Sequence, residues 1–589
     1  MEEVDVKELF SKDFVTIVKK MRKDNKMKEE TSGSNVKIAL LGTGSLQFFS
    51  DMLRYYLYKN NISAEVFIGT YKGIELDVMD QNSEYNKFGP DVTVIFSDYR
   101  DIFCNFDMTV NEDEIWEKVW HEIAKYEILW DKIKSQTGSY ILQTNIVTPI
   151  ERKYGNLEAN YIWSKQTFLT LFNFGLEKKK KQFVTILDFD YLAALMGKEK
   201  WFDFSNYYLN KCNMSYECIP CAVEEVALNI LNYCGKSKKC LVLDLDNTIW
   251  GGVLEEQGIH GVNISQNDAV GEAFLAFQQY LKRLKERGVI LAVCSKNDEQ
   301  YAREVFEKNE NMILKLEDIS CFVANWDNKP DNIRRIATCL NIGLEAIVFV
   351  DDNPAERDLV HTTLPQVEIA PLPEDPANYV LVIEKQRYFE WLKITEEDEN
   401  RTASYKARET IEREKIKYCD YDSYLESLSM VVHIETLNSS NIERIVQLFN
   451  KTNQFNSTKC RTTESQLLAM QSEGKKIISF FLKDRICNYG LIASAVLNIE
   501  EGSCCVEAWC ISCRVFKRTL GEYILNTFVQ IALNNKCSKV CVAYTENERN
   551  VLVREFLENN GFFAVEDKKG YELNIEKNTH FKNKITRGE

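Results

Sequence analysis

The sequence predicts an α/β fold made of three α/β domains, and two features of the chain point to it. Short apolar runs of strand length alternate with longer segments of helical periodicity, which is the pattern of parallel sheets covered by helices. Acidic or hydroxyl side chains follow several of these runs directly, as is typical of the carboxyl edge of such a sheet. The length of 589 residues also requires several hydrophobic cores, because a single core stops growing at roughly 250–300 residues.

Changes in composition set the expected domain boundaries. We predict a charged leader at 1–35, a first α/β domain at 36–215, a second at 236–385, a charged helical connector at 386–428 and a third α/β domain at 429–578. The connector is dense in Glu, Lys and Arg and lacks an apolar stripe that could face a core, so we expect it to be exposed.

Composition also narrows the class of protein. The formal net charge of −16 excludes a general nucleic-acid binder, since neutralising phosphates requires clustered Lys and Arg. The first residues, M-E-E-V-D-V-K-E-L-F, lack the basic and apolar regions of a secretory signal, and no stretch approaches the roughly 18 apolar residues of a membrane span. The 18 cysteines are scattered, as expected of reduced thiols. We therefore predict a cytoplasmic enzyme without a membrane or nucleic-acid partner.

The most informative stretch is K-C-L-V-L-D-L-D-N-T, from Lys239 to Thr248. An apolar strand runs directly into Asp244, and Asp246 follows on the same side by the period-2 alternation of strands. A carboxylate can attack phosphorus when a metal ion offsets the repulsion between the two anions, and the leaving oxygen then needs a proton. Asp244 is therefore the candidate nucleophile, Asp246 the candidate acid and base, and Thr248 a candidate phosphate-binding hydroxyl.

Three later stretches bring further groups to the same edge of the sheet. The strand from Val289 ends in the hydroxyl of Ser295, and Lys329 supplies a compact positive charge. The strand 346–350 is followed by two aspartates, of which we predict Asp351 as the metal ligand. Ser295 and Lys329 are the predicted phosphate binders.

A lone D-x-D-x-T would more simply be a turn whose aspartates cap the next helix. Four matched pieces on three strands favour a catalytic site instead, and with them the sequence resembles the haloacid dehalogenase (HAD) superfamily of aspartate phosphotransferases. The resemblance implies the same roles and a Mg²⁺ ion. The predicted Mg²⁺ ligands are all carboxylates, namely Asp244, Asp246 and Asp351.

Only about fifty residues separate Asp244 from Ser295, too few for a large mobile cap, so we expect an open site.

Longer sequence motifs restrict the resemblance to one family. D-L-D-N-T-I-W-G-G (244–252), V-C-S-K-N (293–297), N-W-D-N-K (325–329), F-V-D-D-N-P-A-E-R (349–357), N-K-T-N-Q-F-N (450–456) and S-C-R-V (512–515) are similar to the FkbH-like family. The resemblance implies an enzyme that takes a glyceryl unit from 1,3-bisphosphoglycerate, removes phosphate and loads glycerate onto the phosphopantetheine thiol of an acyl carrier protein in trans, as in polyketide biosynthesis. The alternative is a Mg²⁺-dependent phosphatase or phosphotransferase on another substrate, in secondary-metabolite or polysaccharide biosynthesis.

The chemistry of that family also needs a group that holds the acyl unit while phosphate leaves, and a thiolate suits an acyl phosphate best. We predict Cys294 as this nucleophile. The alternative is a buried strand thiol, because strand alternation sends Cys294 and its neighbour Ser295 to opposite faces. Asn297 and Arg357 are predicted to contact the second phosphate or the carboxylate of the donor, and Trp250 to shape the pocket floor with the two glycines after it.

The first domain contains G-T-G-S, from Gly42 to Ser45, directly after its first strand. These residues are similar to SGNH-type ester hydrolases, with Ser45 as the nucleophile and Asn145 as an oxyanion donor. Those enzymes place a histidine three residues after an aspartate, and here that position is Asn206. A serine without a base is not activated, so we predict a retained SGNH-like fold that serves docking or assembly.

The last domain resembles acetyltransferases of the GNAT type in the strand 504–510, the loop 514–521 and the helix 522–534. Lys517 stands where that family usually has a glycine in the loop that cradles a pyrophosphate. Two interpretations stay open for this domain: coenzyme A binding, and a retained fold that receives the pantetheine arm of the carrier.

Overall fold

The structure is a computed structural model that describes residues 12–23, 34–102, 110–392, 421–452, 455–458, 462–485, 488–500, 502–512, 515, 518–546, 550–565 and 570–588. The chain divides into two compact units, one within Met1–Cys234 and one within Gly235–Glu589. Within the described ranges, no helix combines the length and the apolar character that crossing a membrane requires.

The first unit contains a five-stranded parallel sheet. Its strands are β1 (Ser34–Gly42), β2 (Ile62–Ile68), β3 (Val92–Phe96), β4 (Tyr140–Thr144) and β5 (Val184–Leu187). They lie in the order β2-β1-β3-β4-β5. Its helices are Phe14–Lys23, Gln47–Lys59, Ile74–Met79, Glu84–Phe88, Glu112–Thr137, Lys165–Lys179, Phe189–Met196, Lys198–Trp201, Phe204–Asn210 and Ile219–Tyr233. Strand β3 is buried at every residue, as expected of a parallel sheet covered on both faces.

The second unit begins with another five-stranded parallel sheet. Its strands are β6 (Cys240–Leu243), β7 (Ile290–Ser295), β8 (Cys321–Ala324), β9 (Ile347–Val350) and β10 (Glu368–Ile369), in the order β10-β9-β6-β7-β8. The accompanying helices are Leu254–Gln257, Ala269–Glu286, Glu299–Lys308, Lys329–Leu340, Pro354–Thr363 and Tyr379–Gln386.

Side chains of this sheet alternate between two apolar cores. Leu243 of β6 and Val293 of β7 belong to the core on one face, whereas Val242 and Cys294 belong to the core on the other. This alternation is the period-2 rule of extended strands, and it decides which side chains can turn toward a site at the strand ends.

The rest of the second unit contains a mixed sheet of eight strands. They are β11 (Met430–Thr436), β12 (Lys476–Lys483), β13 (Asn488–Glu500), β14 (Ser503–Ile511), β15 (Lys539–Ala543), β16 (Phe563–Val565), β17 (Gly570–Asn574) and β18 (Ile585–Arg587). Their order is β16-β17-β15-β14-β13-β12-β11-β18. Its helices are Tyr421–Ser427, Ile442–Lys451, Glu464–Ser472, Leu520–Asn534 and Val551–Asn559.

The structure confirms the predicted α/β class, and the predicted strands that frame the candidate site appear with their ends shifted by a residue or two. The five-part division of the chain, and the SGNH-like and GNAT-like assignments, stay predictions. Most of the predicted leader and connector, together with Arg514 and Lys517 of the predicted pyrophosphate loop, lie outside the described residues.

Candidate active site

Strands β6, β7 and β9 lie side by side and end at the same edge of their sheet. Leu243, the last residue of β6, pairs with Val293 of β7 and with Val350 of β9. The backbone N–H of Asp244 donates to the carbonyl of Val350 at 2.9 Å. The residues that follow these strands therefore meet in one place, as the strand-edge rule predicts.

Three carboxylates, those of Asp244, Asp351 and Asp352, form an acidic centre at this edge. One oxygen of each lies within 4.8 Å of the other two. Asp244 and Asp351 are buried, and Asp352 is half-buried. Burial and the nearby charge of Asp244 raise the pKa of Asp351 and of Asp352, because like charges in a poorly solvated site disfavour ionisation.

Lys329 lies against two of these carboxylates. It is the first residue of the helix Lys329–Leu340, and 3% of its surface is exposed. Its ammonium lies 3.1 Å from Asp244 Oδ1 and donates a hydrogen bond to Asp351 Oδ2. Burial opposes the charge, but Asp244 and Asp351 outweigh it and raise the pKa of Lys329. The lysine therefore stays cationic and can bind a phosphoryl oxygen.

The acidic centre fits a small divalent cation. Three carboxylates share one ammonium, so negative charge is in excess when all three are ionised. Asp244 Oδ1 has no aligned hydrogen-bond donor among the described residues, although the Lys329 ammonium is close. That contact is electrostatic, and the oxygen keeps a lone pair for ligation. Carboxylate oxygens are the ligands that Mg²⁺ prefers.

Asp246 faces a different set of donors. Its Oδ1 accepts hydrogen bonds from Trp250 Nε1 at 3.0 Å and from the backbone N–H of Leu254 at 3.1 Å. Its Oδ2 accepts from Asn297 Nδ2 at 3.0 Å. Burial raises the pKa of Asp246 in spite of these donors, so the carboxyl keeps its proton to a higher pH than an exposed aspartate. This placement suits the predicted acid and base, and it differs from the predicted metal ligand because the carboxylate lies outside the acidic centre.

Ser295 ends β7 at the same edge. Its Oγ accepts a hydrogen bond from Asn297 Nδ2 at 3.1 Å, which leaves the hydroxyl proton for a phosphoryl oxygen. Asn297 is buried and joins Ser295 to Asp246. The sequence prediction that Asn297 contacts the donor substrate is therefore corrected: its amide positions two other groups of the site.

Thr248 differs from its predicted role as a phosphate binder. Its side chain is fully buried, and its Oγ1 accepts from the backbone N–H of Asp352 at 3.2 Å and donates to Asp352 Oδ1 at 3.5 Å. The hydroxyl thus holds the acidic loop after β9 and is not turned toward a ligand.

Trp250 and Arg357, both predicted to contact substrate, also act on neighbouring groups. Trp250 is fully buried, and its bond to Asp246 uses the single donor of the indole. Arg357 Nη1 donates to the carbonyl oxygens of Asp351 at 2.7 Å and Asp352 at 3.0 Å. The structure corrects both predictions: these side chains position the acids of the site.

Cys294 requires the largest correction. The thiol is completely buried in the apolar core on the far face of the sheet, and burial raises the pKa of Cys294 to about 12. A nucleophilic thiolate needs exposure and a lowered pKa. In this structure Cys294 is therefore a core thiol, which was the alternative that strand alternation favours, and this placement disfavours the predicted acyl-carrying role.

An open crevice of about 560 Å³ lies beside the acidic centre. It is lined by residues between 247 and 274, by residues between 373 and 379, and by Asp352. The glycines after Trp250 line it: a Cβ on Gly251 would lie 2.9 Å from the ring of Phe274, and Gly252 has a φ of 91°, where glycine is favoured. That the site lacks a large cap stays a prediction.

The sequence interpretation missed the place of Asp352 in the centre. Its signal was present, because Asp352 directly follows Asp351 at the end of a buried strand. The sequence rules did not choose both, since neighbouring side chains on a strand point to opposite faces. The chain has already left the strand at these residues, so the rule no longer applies.

The predicted hydrolase residues of the first unit are not assembled for catalysis. Ser45 is exposed, and His121, the single histidine of the sequence before residue 250, is exposed on the helix Glu112–Thr137. Asn145 Nδ2 donates to Asp188 Oδ1 at 2.7 Å, so the predicted oxyanion donor already has an acceptor. The pocket beside Ser45 measures about 40 Å³, whereas ligand pockets typically measure about 300–1,000 Å³. That the serine is not activated stays a prediction.

One described residue of the predicted pyrophosphate loop is already engaged within the protein. The guanidinium of Arg518, in the predicted pyrophosphate loop, is buried and donates to Asp484 Oδ2 at 2.8 Å and to Tyr489 Oη at 2.9 Å. Its charge is therefore compensated within the protein and is not directed at a phosphate.

Two family models match this chain, and each covers one of the two sheets that contain parallel strands only. Residues 37–232 match the model of the FkbH N-terminal domain, and residues 239–369 match the model of the NLI interacting factor-like phosphatases. None of the curated proteins gives a significant match.

Among solved structures, the chain is similar to the N-terminal part of the protein BF1531 from Bacteroides fragilis, which contains a phosphatase domain complexed with Mg. The identity is 34%, the TM-score is 0.57, and the match covers 64% of this chain and 99% of that one. A GNAT-family acetyltransferase from Staphylococcus aureus Mu50 matches at 11% identity and a TM-score of 0.20, covering 25% of this chain and 99% of its own. The ribosomal-protein-S18-alanine N-acetyltransferase from Escherichia coli matches at 13% identity and a TM-score of 0.19, covering 26% and 99%.

Proposed function

The chain belongs to the FkbH-like family, and from this membership we propose that it is a Mg²⁺-dependent HAD-type phosphatase with Asp244 as its nucleophile. One observation carries the proposal: the carboxylates of Asp244, Asp351 and Asp352, two of them buried, converge within 4.8 Å beside the ammonium of Lys329. Such a centre collects the nucleophile, the metal ligands and a phosphate binder at one sheet edge.

In the first step Asp244 attacks phosphorus and the bond from phosphorus to the leaving oxygen breaks. Asp246 gives its proton to that oxygen, which its raised pKa favours. Asp246 then takes a proton from water, the water oxygen attacks the phosphoryl group, and phosphate leaves with Asp244 restored. Lys329 and Ser295 bind phosphoryl oxygens throughout. The three carboxylates of the acidic centre would hold Mg²⁺, which when bound would supply the charge that offsets the repulsion between carboxylate and phosphate.

The proposed substrate is 1,3-bisphosphoglycerate and the proposed acceptor is an acyl carrier protein, as the sequence motifs shared with the family imply. The phosphopantetheine thiolate attacks C1 of the acyl phosphate, the C1–O bond breaks and phosphate leaves, while the acyl group becomes a thioester. The Asp244 site hydrolyses the phosphate ester at C3. Because Cys294 is buried, the carrier thiol rather than Cys294 accepts the acyl unit in this scheme.

A second candidate is a phosphatase that acts on another monophosphate ester. The observation that favours it concerns the second phosphate of the donor. Arg357 donates to backbone carbonyls and Asn297 to Asp246 and Ser295. Both side chains that were predicted to bind the second phosphate are thus occupied.

Intact-protein mass spectrometry separates the two candidates. The enzyme is incubated with Mg²⁺, freshly generated 1,3-bisphosphoglycerate and a holo acyl carrier protein. A glyceryl increment on the carrier that is replaced by a 3-phosphoglyceryl increment with Asp244→Asn, and is retained with the exposed control Asp358→Asn, supports the transfer. Phosphate release that depends on Asp244 without any increment on the carrier supports the second candidate and rules out the first.

A further inference from the structure

Two cysteines lie directly opposite each other on neighbouring strands of the eight-stranded sheet. Cys505 of β14 pairs with Cys541 of β15 in the parallel register. Paired strands lie about 4.7–4.9 Å apart, which is within the Cα separations of about 4.4–6.8 Å that disulfides bridge. We infer that these two thiols form a modification site, a dithiol that a small-molecule disulfide such as glutathione disulfide oxidises to a cross-strand disulfide.

Both thiols lie on the face of the sheet that is turned away from its large apolar core. Cys504 and Val540, the residues directly before them, belong to that core, and the period-2 alternation of strands sends Cys505 and Cys541 to the other face. Cys504 is completely buried, whereas Cys505 and Cys541 are partly exposed. A small disulfide can therefore reach this pair but not the neighbouring core thiol, because thiol reactivity requires access.

A carboxylate lies against the pair. Glu572 of β17 is opposite Cys541 in the sheet and is buried, and its Oε1 accepts a hydrogen bond of 3.4 Å from the Cys541 thiol. Lys539 donates to the two oxygens of Glu572 at 3.2 and 3.0 Å. An adjacent ammonium favours the ionised carboxylate, so Glu572 is placed to take the proton of Cys541 when that sulfur reacts.

The order in which the two thiols react follows from these contacts. The hydrogen bond with Cys505, together with burial and the charge of Glu572, raises the pKa of Cys541. Cys541 therefore keeps its proton at neutral pH. Because the thiolate is the nucleophile in thiol–disulfide exchange, Cys505 attacks first and Cys541 second.

The exchange takes place in two balanced steps. Cys505 loses its proton to water and attacks one sulfur of glutathione disulfide, whose S–S bond breaks to release one glutathione thiolate. Cys541 then gives its proton to Glu572 and attacks the Cys505 sulfur, and the second glutathione thiolate leaves. The two released thiolates take up the two protons. Two protein thiols are thus oxidised by two electrons in all, and one disulfide is reduced to two glutathione molecules.

Peptide mapping of the full-length protein tests the site. The reduced protein is incubated with glutathione disulfide, the remaining thiols are alkylated with N-ethylmaleimide, and tryptic peptides are separated without reduction. Trypsin cleaves after Lys539 and Arg549, so Cys541 is the single cysteine of its peptide, and fragmentation identifies its partner. Cys505→Ala and Cys541→Ala each remove one thiol of the pair. Cys504→Ala is the matched control, because Cys504 lies next to Cys505 on β14 but faces the core.

We expect the wild type to give a peptide that joins Cys505 to Cys541, and Cys504→Ala to keep it. Oxidation should raise the melting temperature of the wild type by about 5 °C, because a disulfide restricts the unfolded chain. Cys541→Ala should accumulate a glutathione adduct on Cys505, since the second thiol is missing, and Cys505→Ala should form no joined peptide.

A wild type that yields no peptide joining Cys505 to Cys541 would overturn the inference, whether its thiols stay reduced, carry separate glutathione adducts or join other cysteines. A joined peptide of Cys541 that persists in Cys505→Ala would do the same. The wild-type map decides the question by itself if a variant does not fold, because fragmentation names both sulfur atoms of the bridge.

Discussion

The indole Nε1 of Trp250 donates a hydrogen bond of 3.0 Å to Asp246 Oδ1. Asp246 and Trp250 also form an isolated backbone bridge, so the turn between them brings the two side chains together. The indole is fully buried in the core, which keeps water from replacing it as the donor. The carboxylate of Asp246, the proposed acid and base, is therefore oriented by a core residue.

Replacing this donor should lower turnover rather than binding. In Trp250→Phe we expect kcat to fall about tenfold with KM within about twofold, because losing one hydrogen bond to a carboxylate costs about 1.5 kcal/mol. Steady-state phosphate release measures both constants. Trp509→Phe is the matched control, since Trp509 is also fully buried and its Nε1 has no partner among the described residues. Equal losses of kcat in the two variants would contradict a positioning role.

Mg²⁺ should stabilise the protein through the acidic centre. At a concentration of about 100 times its Kd, a ligand that binds only the folded state adds about 2.7 kcal/mol, and we expect a corresponding rise in Tm when Mg²⁺ is added after chelation. Asp352→Asn should reduce the rise, and Asp358→Asn, an exposed change on the next helix, should not. A rise of the same size in both variants would exclude Asp352 as a ligand. Calorimetric melting with and without the chelator provides the comparison.

Cys294→Ala should affect stability and leave the chemistry intact. Removing a fully buried sulfur costs about 1 kcal/mol through lost packing, while phosphate release and carrier loading stay within about twofold of the wild type. Cys240→Ala is the matched control, because Cys240 is equally buried and belongs to the same core. If loading is lost only in Cys294→Ala while phosphate release survives, the thiol does carry the acyl unit and the correction made from the structure is wrong.

Sequence rules predicted the catalytic edge because it depends on local properties of the chain. Asp244, Ser295 and Asp351 each follow a short apolar strand, and parallel strands deliver such residues to one edge whatever their distance in sequence. The same period-2 alternation predicts that Cys294 points away from Ser295 and into the core. The nucleophile was nevertheless assigned to Cys294 because the chemistry of the family requires a thiolate.

The remaining features depend on contacts between distant segments. The guanidinium of Arg357 could have faced a phosphate or a carbonyl, and only the path of the loop after β9 decides that it binds the carbonyls of Asp351 and Asp352. The crevice likewise joins residues near 250–274 to residues near 373–379. The periodicity of one segment does not show that the other packs beside it. The sequence therefore predicted an open site but not the residues that line it.

Peptide mapping of the acid-quenched enzyme during turnover tests the role of Asp244 most directly. With Mg²⁺ and a hydrolysable phosphate ester, we expect a phosphoryl group on the peptide that contains Asp244, and its accumulation in Asp246→Asn, where the second step lacks its base. The adduct should be absent without Mg²⁺ and in Asp244→Asn. Phosphate release that continues in Asp244→Asn, or an adduct on another residue, would contradict the assignment of Asp244 as the nucleophile.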